Sequence, residues 1–256
     1  MSLVPTRCPV CNADCVLIDV LDFNKTCHDQ NGSKLGLAGV PIYFVLCRNC
    51  GFCFAPEFRD WTAQQFSERI YNDQYVTIDP DFPESRPRAC AANLLSMFGS
   101  SPPGIKHLDF GGGNGRLAAL MQEANWDSVA YDPHSERSVD LQLLGKFDLI
   151  TAFEVFEHVA DVQSLMTNLV SLLAPNGLVL FSTMLSDGHI HPDQRLNWWY
   201  AAPRNGHISL FSRRSLKLLA NDKSLSLGHF SDGFHVFYKK IPPWAAHLFG
   251  SAPAPN

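Results

Sequence analysis

An α/β fold is predicted: a doubly wound sheet closed by an antiparallel terminal hairpin and preceded by a small four-cysteine module. Three observations predict it. Apolar runs of strand length alternate with helical patterns between residues 105 and 183, the signature of a parallel sheet with helices on both faces. A glycine-dense turn, "GGGNG" (111–115), joins the first run to the first helical pattern. Two C-x-x-C pairs, Cys8/Cys11 and Cys47/Cys50, stand ahead of both.

Each C-x-x-C pair can present two thiolates at the knuckle of a tight turn, and two facing knuckles make a closed tetrahedral zinc site. Residues 12–46 between the pairs are long for a zinc ribbon and have room for strands at Val16–Val20 and Ile42–Leu46. With Cys8, Cys11, Cys47 and Cys50 all filled by thiolate, the metal has no open position and a structural role. Cys15, Cys27, His28, Cys53 and Cys90 are spare, and Cys27–His28 is the alternative ligand pair. The chain is expected to divide into the ribbon at 1–60, a helix (62–70) and linker over 61–87, the main domain over 88–245, and a disordered Pro-rich tail at 246–256.

In the main domain, Ile105–Phe110 reads as a strand. Leu117, Leu120, Met121 and Ala124 then recur at helical spacing. The glycines fit G-x-G-x-G at Gly111, Gly113 and Gly115, with Asp109 two positions ahead. They do not fit a P-loop, and they match a dinucleotide fingerprint only weakly. "SVAYD" (128–132) is a second strand, ending in Asp132, whose carboxylate can take two hydrogen bonds from a ribose diol. "FDLITAF" (147–153) is a third, "VQSLMTNLVSLL" (162–173) a helix stopped by "APNG", and "LVLFST" (178–183) a fourth strand. Leu225–Phe230 and Phe234–Lys239 flank "SDG" as a hairpin. In such sheets, ligands sit at the carboxyl ends of the strands.

Together "LDFGGGNGRL", "YDP", "FDLITAFEVFEHV" and "LLAPNGLVLFST" resemble, in order, four motifs of class I S-adenosylmethionine-dependent methyltransferases. The cysteine module, "RIYNDQYV" (69–76) and "WWYAAPRNGHISLFS" (198–212) resemble a subset that includes sugar C-methyltransferases and relatives in polysaccharide or antibiotic pathways. The resemblance implies a Rossmann-like sheet and S-adenosylmethionine as cofactor, held by Asp109, Gly111, Gly113, Gly115, Asp132, Phe153 and Glu154. It implies methyl transfer to a small molecule or a nucleotide-linked sugar or glycan precursor. One departure stands out: residues 133–146 are too few for the usual helix–strand–helix unit, so the third strand is shortened or lost, and with it the acid that commonly holds the adenine amine; Asp140 and Leu141 are the only nearby candidates for that contact.

His158, His207 and Glu157 are the candidate catalytic residues, since methyl transfer to oxygen or nitrogen needs an aligned acceptor and often a general base. Packing alone is the competing reading of His158. The run Glu154, Glu157, His158 with distant His207 also resembles that of metal-dependent small-RNA 2′-O-methyltransferases, where such residues hold Mg²⁺ or Mn²⁺. His189 and His191 fall in a lid-like segment, and Trp198, Trp199 and Tyr200 can wall a pocket or fill a core.

Net charge is −5, and no apolar run reaches membrane-span length, which argues against polyanion partners and membrane insertion. In residues 1–60, Arg7, Lys25, Lys34, Arg48 and Arg59 face Asp14, Asp19, Asp22, Asp29, Glu57 and Asp60. That balance does not suit an RNA methyltransferase gripping RNA with its ribbon. A non-catalytic cofactor-binding scaffold is the third reading, opposed by the intact glycines, Asp132 and E-x-x-E-H run. A cytoplasmic location follows from the absence of an export signal, and the oligomeric state stays open.

Overall fold

The computed structural model describes residues 6–29, 32, 35–100, 104–134 and 140–250. Among these residues, ten strands form two sheets. The larger has the order β5-β4-β6-β7-β10-β9, built from β4 (Lys106–Phe110), β5 (Asp127–Tyr131), β6 (Phe147–Ala152), β7 (Leu173–Ser182), β9 (Ser226–His229) and β10 (Phe234–Tyr238). The first four run parallel, while β10 is antiparallel to β7 and pairs with β9 as the expected hairpin.

Among the described residues no strand lies between β5 and β6; a 3-10 turn at Leu141–Leu143, capped by Asp140, takes that place. Leu141 packs against the core beneath. Among the described residues β5 is the edge strand of this sheet, in keeping with a third strand shortened or lost.

The main-domain helices α4 (Arg116–Glu123), α5 (Val162–Leu172) and α6 (Arg213–Asp222) bury stripes such as Val162, Leu165, Met166 and Leu169. The 174–177 stretch, read as a loop that stops a helix, belongs to β7 instead. Helix α5 ends at Leu172 and the strand starts at once. A Cβ on Gly177 would come 2.9 Å from the carbonyl oxygen of Phe147, so glycine there lets β7 lie close to β6.

The smaller sheet has the order β1-β2-β3-β8: β1 (Cys15–Asp22), β2 (Pro41–Cys47), β3 (Cys53–Phe54) and β8 (Ser209–Leu210). Its fourth strand comes from the far end of the chain, so the cysteine module shares a sheet with the main domain. The 61–87 stretch is more than a helix and linker. It carries α1 (Ala63–Arg69, with a capping box at Thr62), α2 (Tyr75–Ile78) and the start of α3 (Ser85–Phe98). The expected tail begins inside an ordered 3-10 turn, Pro243–Phe249. Trp244 packs on Phe98 and Phe249 on Tyr238, which orders the turn. Residues 251–256 lie outside the described part. No helix among the described residues is long and apolar enough to cross a membrane.

Candidate active site

A cavity of about 490 Å³ opens at the carboxyl ends of β4, β5 and β6. Its floor is the loop after β4. Gly113 N–H donates to Asp132 Oδ2 at 2.9 Å, and His134 N–H to Oδ1 at 2.8 Å, so the acid ending β5 is tied to the glycine turn. Each carboxylate oxygen still has a lone pair for a further donor. The loop is closely packed. Gly111 has φ +75°, and a Cβ there would fall 2.5 Å from Val155. Gly113 has φ +55°, with a virtual Cβ 3.0 Å from the Phe82 ring. Gly115 takes the left-handed N-cap position of α4.

Asp109 is buried under the loop, where it accepts from Thr151 Oγ1 at 3.0 Å. Burial pushes its carboxyl up to about 7, against the hydrogen bond that would lower it. Glu154 follows β6 in a left-handed conformation, φ +53°, a strained setting for a side-chain-bearing residue. Ser182 holds it there: its Oγ accepts from Glu154 N–H at 2.7 Å and donates to Oε1 at 2.8 Å. Asp109, Gly111, Gly113, Asp132, Phe153 and Glu154 all line the cavity. Gly115, Asp140 and Leu141 are not among its lining residues.

The opposite wall comes from residues 71–90, most of them in the predicted helix-and-linker segment 61–87. Tyr71, Tyr75, Asp79, Phe82 and Arg86 line it. Arg86 grips Asp79 with both terminal nitrogens, at 2.7 and 2.9 Å. Asn114 Nδ2 donates to the Pro83 carbonyl at 3.0 Å, and Arg116 pairs with Glu84 at 2.9 Å, so this wall is pinned to the glycine turn. Arg86 sits in the first turn of α3, a helix that the sequence analysis did not anticipate.

His158 lines the cavity, and its Nδ1 lies 3.1 Å from the Tyr71 hydroxyl. Burial lowers its pKa to about 4, so the ring is neutral at physiological pH. His207 and Glu157 lie behind it. The His158 and His207 rings are 4.8 Å apart, and His207 Nδ1 is 3.0 Å from the Tyr200 carbonyl oxygen. Glu157 is fully buried; its Oε1 accepts from the Tyr200 hydroxyl, while Oε2 has no partner. Burial, then the nearby Glu154, raises its pKa well above the carboxylate range. Neither Glu157 nor His207 lines the cavity. Trp198 and Tyr200 are core residues, Trp199 is exposed, and none of the three lines the cavity. His189 stacks on Trp198 outside the cavity.

The four N-terminal cysteines converge. Cys8 and Cys50 Sγ are 3.5 Å apart, Cys11 and Cys47 Sγ 3.4 Å, and all four sulfurs lie within 4.8 Å of one another. Tetrahedral zinc at about 2.3 Å from each sulfur needs sulfurs roughly 3.8 Å apart, so the cluster fits. Val10 N–H and Cys50 N–H point at Cys8 and Cys47 sulfur (3.4 and 3.5 Å), which suits thiolates. Cys27 stands apart, 3.6 Å from His207 Nδ1.

A family profile described as "Methyltransferase domain" matches residues 82–226, more than half of the chain. The chain belongs to this methyltransferase family. The match takes in the glycine turn, Asp132, the Glu154–His158 run and His207. A ubiquinone biosynthesis O-methyltransferase of Albidiferax ferrireducens is 32% identical over 94 residues, covering 36% of each protein. Its counterpart in Azotobacter vinelandii is 31% identical over 96 residues, covering 37% of this chain and 41% of that one. The aligned part thus spans well under half the length of these curated relatives. An O-methyltransferase family protein from Burkholderia thailandensis shares the fold, with TM-score 0.52 and 15% identity over 73% of this chain and 67% of its own. The class I S-adenosylmethionine-dependent fold of this methyltransferase family accounts for the order of the larger sheet among the described residues.

Proposed function

We propose that the protein transfers a methyl group from S-adenosylmethionine to a hydroxyl oxygen of a small molecule. The observation that carries this reading is the facing of two groups across one cavity: the glycine turn bound to Asp132, and the neutral His158 with Tyr71. Asp132 would hold the ribose, and Glu154 and Asp109 would face the ammonium end of the methionine moiety. When bound, the cofactor supplies an electrophilic methyl on a sulfonium centre. His158 takes the proton from the acceptor hydroxyl, and Tyr71 positions the imidazole.

The acceptor is better read as uncharged than as nucleotide-linked. Asp73, Asp79, Asp109, Asp132 and Glu154 line the cavity against one lining arginine, Arg86, already paired with Asp79. A diphosphate has no free cation to meet there. A methyl-acceptor screen with hydroxylated aromatics beside nucleotide sugars tests this. Turnover of nucleotide sugars alone would reverse the choice.

Cofactor binding should release protons. A sulfonium and an ammonium near Asp109 favour its charged form, so its pKa of about 7 falls on binding. Affinity should therefore tighten as pH rises from 6 to 8. Titration calorimetry in two buffers of different ionisation heat should show release of up to one proton per site at pH 6.5, abolished in Asp109→Asn. Proton uptake would contradict the assignment.

A structural zinc at Cys8, Cys11, Cys47 and Cys50 completes the reading. Elemental analysis should give about one zinc per chain, and a folded, metal-free preparation would rule it out.

One observation favours a second reading. A carboxylate oxygen of Glu157, a ring nitrogen of His158 and one of His207 lie within 4.8 Å of one another, and Glu157 Oε2 is buried without a partner. These atoms could hold a divalent cation, with Glu154 outside the group because Ser182 engages it. Activity lost on chelation mild enough to spare the zinc, and restored by Mn²⁺, would establish that centre. Activity indifferent to chelation supports the metal-free base.

A further inference from the structure

We infer that the four-cysteine module is a positioning element of the active site: its second knuckle sets the wall that carries His158 and His207. The inference rests on the methyltransferase reading for its functional meaning and on hydrogen-bond connectivity for its physical content.

The path is short and continuous. Cys47 and Cys50 close a turn in which Gly51 N–H donates to the Cys47 carbonyl at 2.8 Å. The chain then runs directly into β3, which pairs Cys53 with Leu210 and Phe54 with Ser209 of β8. Ala55 N–H extends the ladder to the Ile208 carbonyl at 2.9 Å. On the other side, Ile208 N–H donates to the Glu157 carbonyl at 2.9 Å, and Ser209 Oγ to the Val159 carbonyl at 2.7 Å. Residues 208–209 are thus held between the knuckle strand and the turn that presents His158. His207, next along, packs its ring against His158.

Side chains clasp the same junction. Ser212 Oγ donates to the Cys50 carbonyl, and Asn49 bridges Arg214 (2.7 Å) to the Cys11 sulfur (3.4 Å). Phe52 packs on Phe211 at 4.9 Å. A Cβ on Gly51 would come within 3.0 Å of Ser212, so the contact is close on the backbone as well. By contrast, none of these bonds involves the glycine turn or Asp132. A two-residue strand such as β3 has too few ladder bonds to fix its own register. A tetrahedral cation locking Cys47 and Cys50 would fix it. The metal would then govern the acceptor side of the cavity and leave the cofactor side alone.

The test compares the zinc-loaded full chain with Cys11→Ser, which removes a half-buried ligand, and with Ser212→Ala, which keeps all four cysteines but cuts the clasp. Amide hydrogen exchange at Ala55 and Ile208, and S-adenosylhomocysteine affinity, are read in each. In both variants the two amides should exchange tenfold or more faster. Protection at Gly113 should hold, and affinity should stay within threefold of the parent. If the screen provides an acceptor, kcat should fall while KM for S-adenosylmethionine holds. Unchanged exchange at Ile208, or affinity lost in step with it, overturns the inference. If Cys11→Ser does not fold, the zinc-loaded Ser212→Ala protein decides alone by the same two readouts. Failure of the parent to bind S-adenosylhomocysteine would instead sink the methyltransferase reading and leave the exchange result standing.

Discussion

A Gly113→Val protein should gain no thermal stability from S-adenosylhomocysteine, while the parent gains several degrees. At a ligand concentration 100 times Kd, binding to the folded state adds about 2.7 kcal/mol, worth roughly 5–10 °C for a domain of this size. The substitution works against binding in three ways. Residue 113 has φ +55°, a region a β-branched residue scarcely enters. Its Cβ would fall 3.0 Å from the Phe82 ring, pushing that ring or the loop into the cavity. Any backbone shift also breaks the bond from Gly113 N–H to Asp132. Asp132→Ala is the graded companion. It adds no Cβ to the loop and removes a charged acceptor, so affinity should fall by about 1.5–3 kcal/mol. Differential scanning fluorimetry across a ligand series separates the two. Stabilisation of the parent by NADH, with none from S-adenosylhomocysteine, would show that the glycine frame had been read wrongly.

The parts legible in the sequence were those set by local chemistry. Alternating apolar runs, a glycine turn that a Cβ would block and two C-x-x-C knuckles all write their reasons into a few adjacent residues. Even the absence of a third strand among the described residues was legible, because residues 133–146 are too few for a full helix–strand–helix unit. What stayed hidden depends on chain crossings. Phe82 and Arg86 look like ordinary members of a linker and a helix start until α3 folds back over the glycine turn. Strands β3 and β8, two residues each, have no periodicity to detect, and their pairing joins distant segments. The depth of Glu157 and His207 is hidden for a related reason. A run such as E-x-x-E-H shows which groups are near one another, but not that Tyr200 and the ribbon strands close over two of them. Gly177 is a third case: it serves the approach of β7 to β6, and sequence alone cannot tell that from a loop glycine.

His158→Ala should cut turnover by ~10²–10⁴ with cofactor affinity unchanged, the scale for losing a positioned general base. The separation of the two effects follows from geometry. His158 faces the cavity beside Tyr71, whereas Asp132 and the glycine turn are tied to each other without it. The pH profile distinguishes a base from a packing residue. Burial holds the imidazole at about 4, below its ordinary value, so the neutral, proton-accepting form predominates at every pH above that. Turnover should therefore show no break near 6.5 from this group, and should fall only as pH approaches 4. The sign for stability is the same: a histidine kept neutral in the fold favours unfolding as pH drops below its unfolded value, since only the unfolded chain charges it freely. His158→Ala should thus be less acid-labile than the parent between pH 6 and 4, provided the cavity it leaves does not dominate. Tyr71→Phe is the control for positioning. It removes the hydroxyl 3.1 Å from Nδ1 but keeps the ring, so kcat should drop by a smaller factor, about tenfold, with the pH profile retained. Full activity in His158→Ala would return the residue to packing and would count against the cation reading as well, since His158 is one of the three residues that could hold the ion.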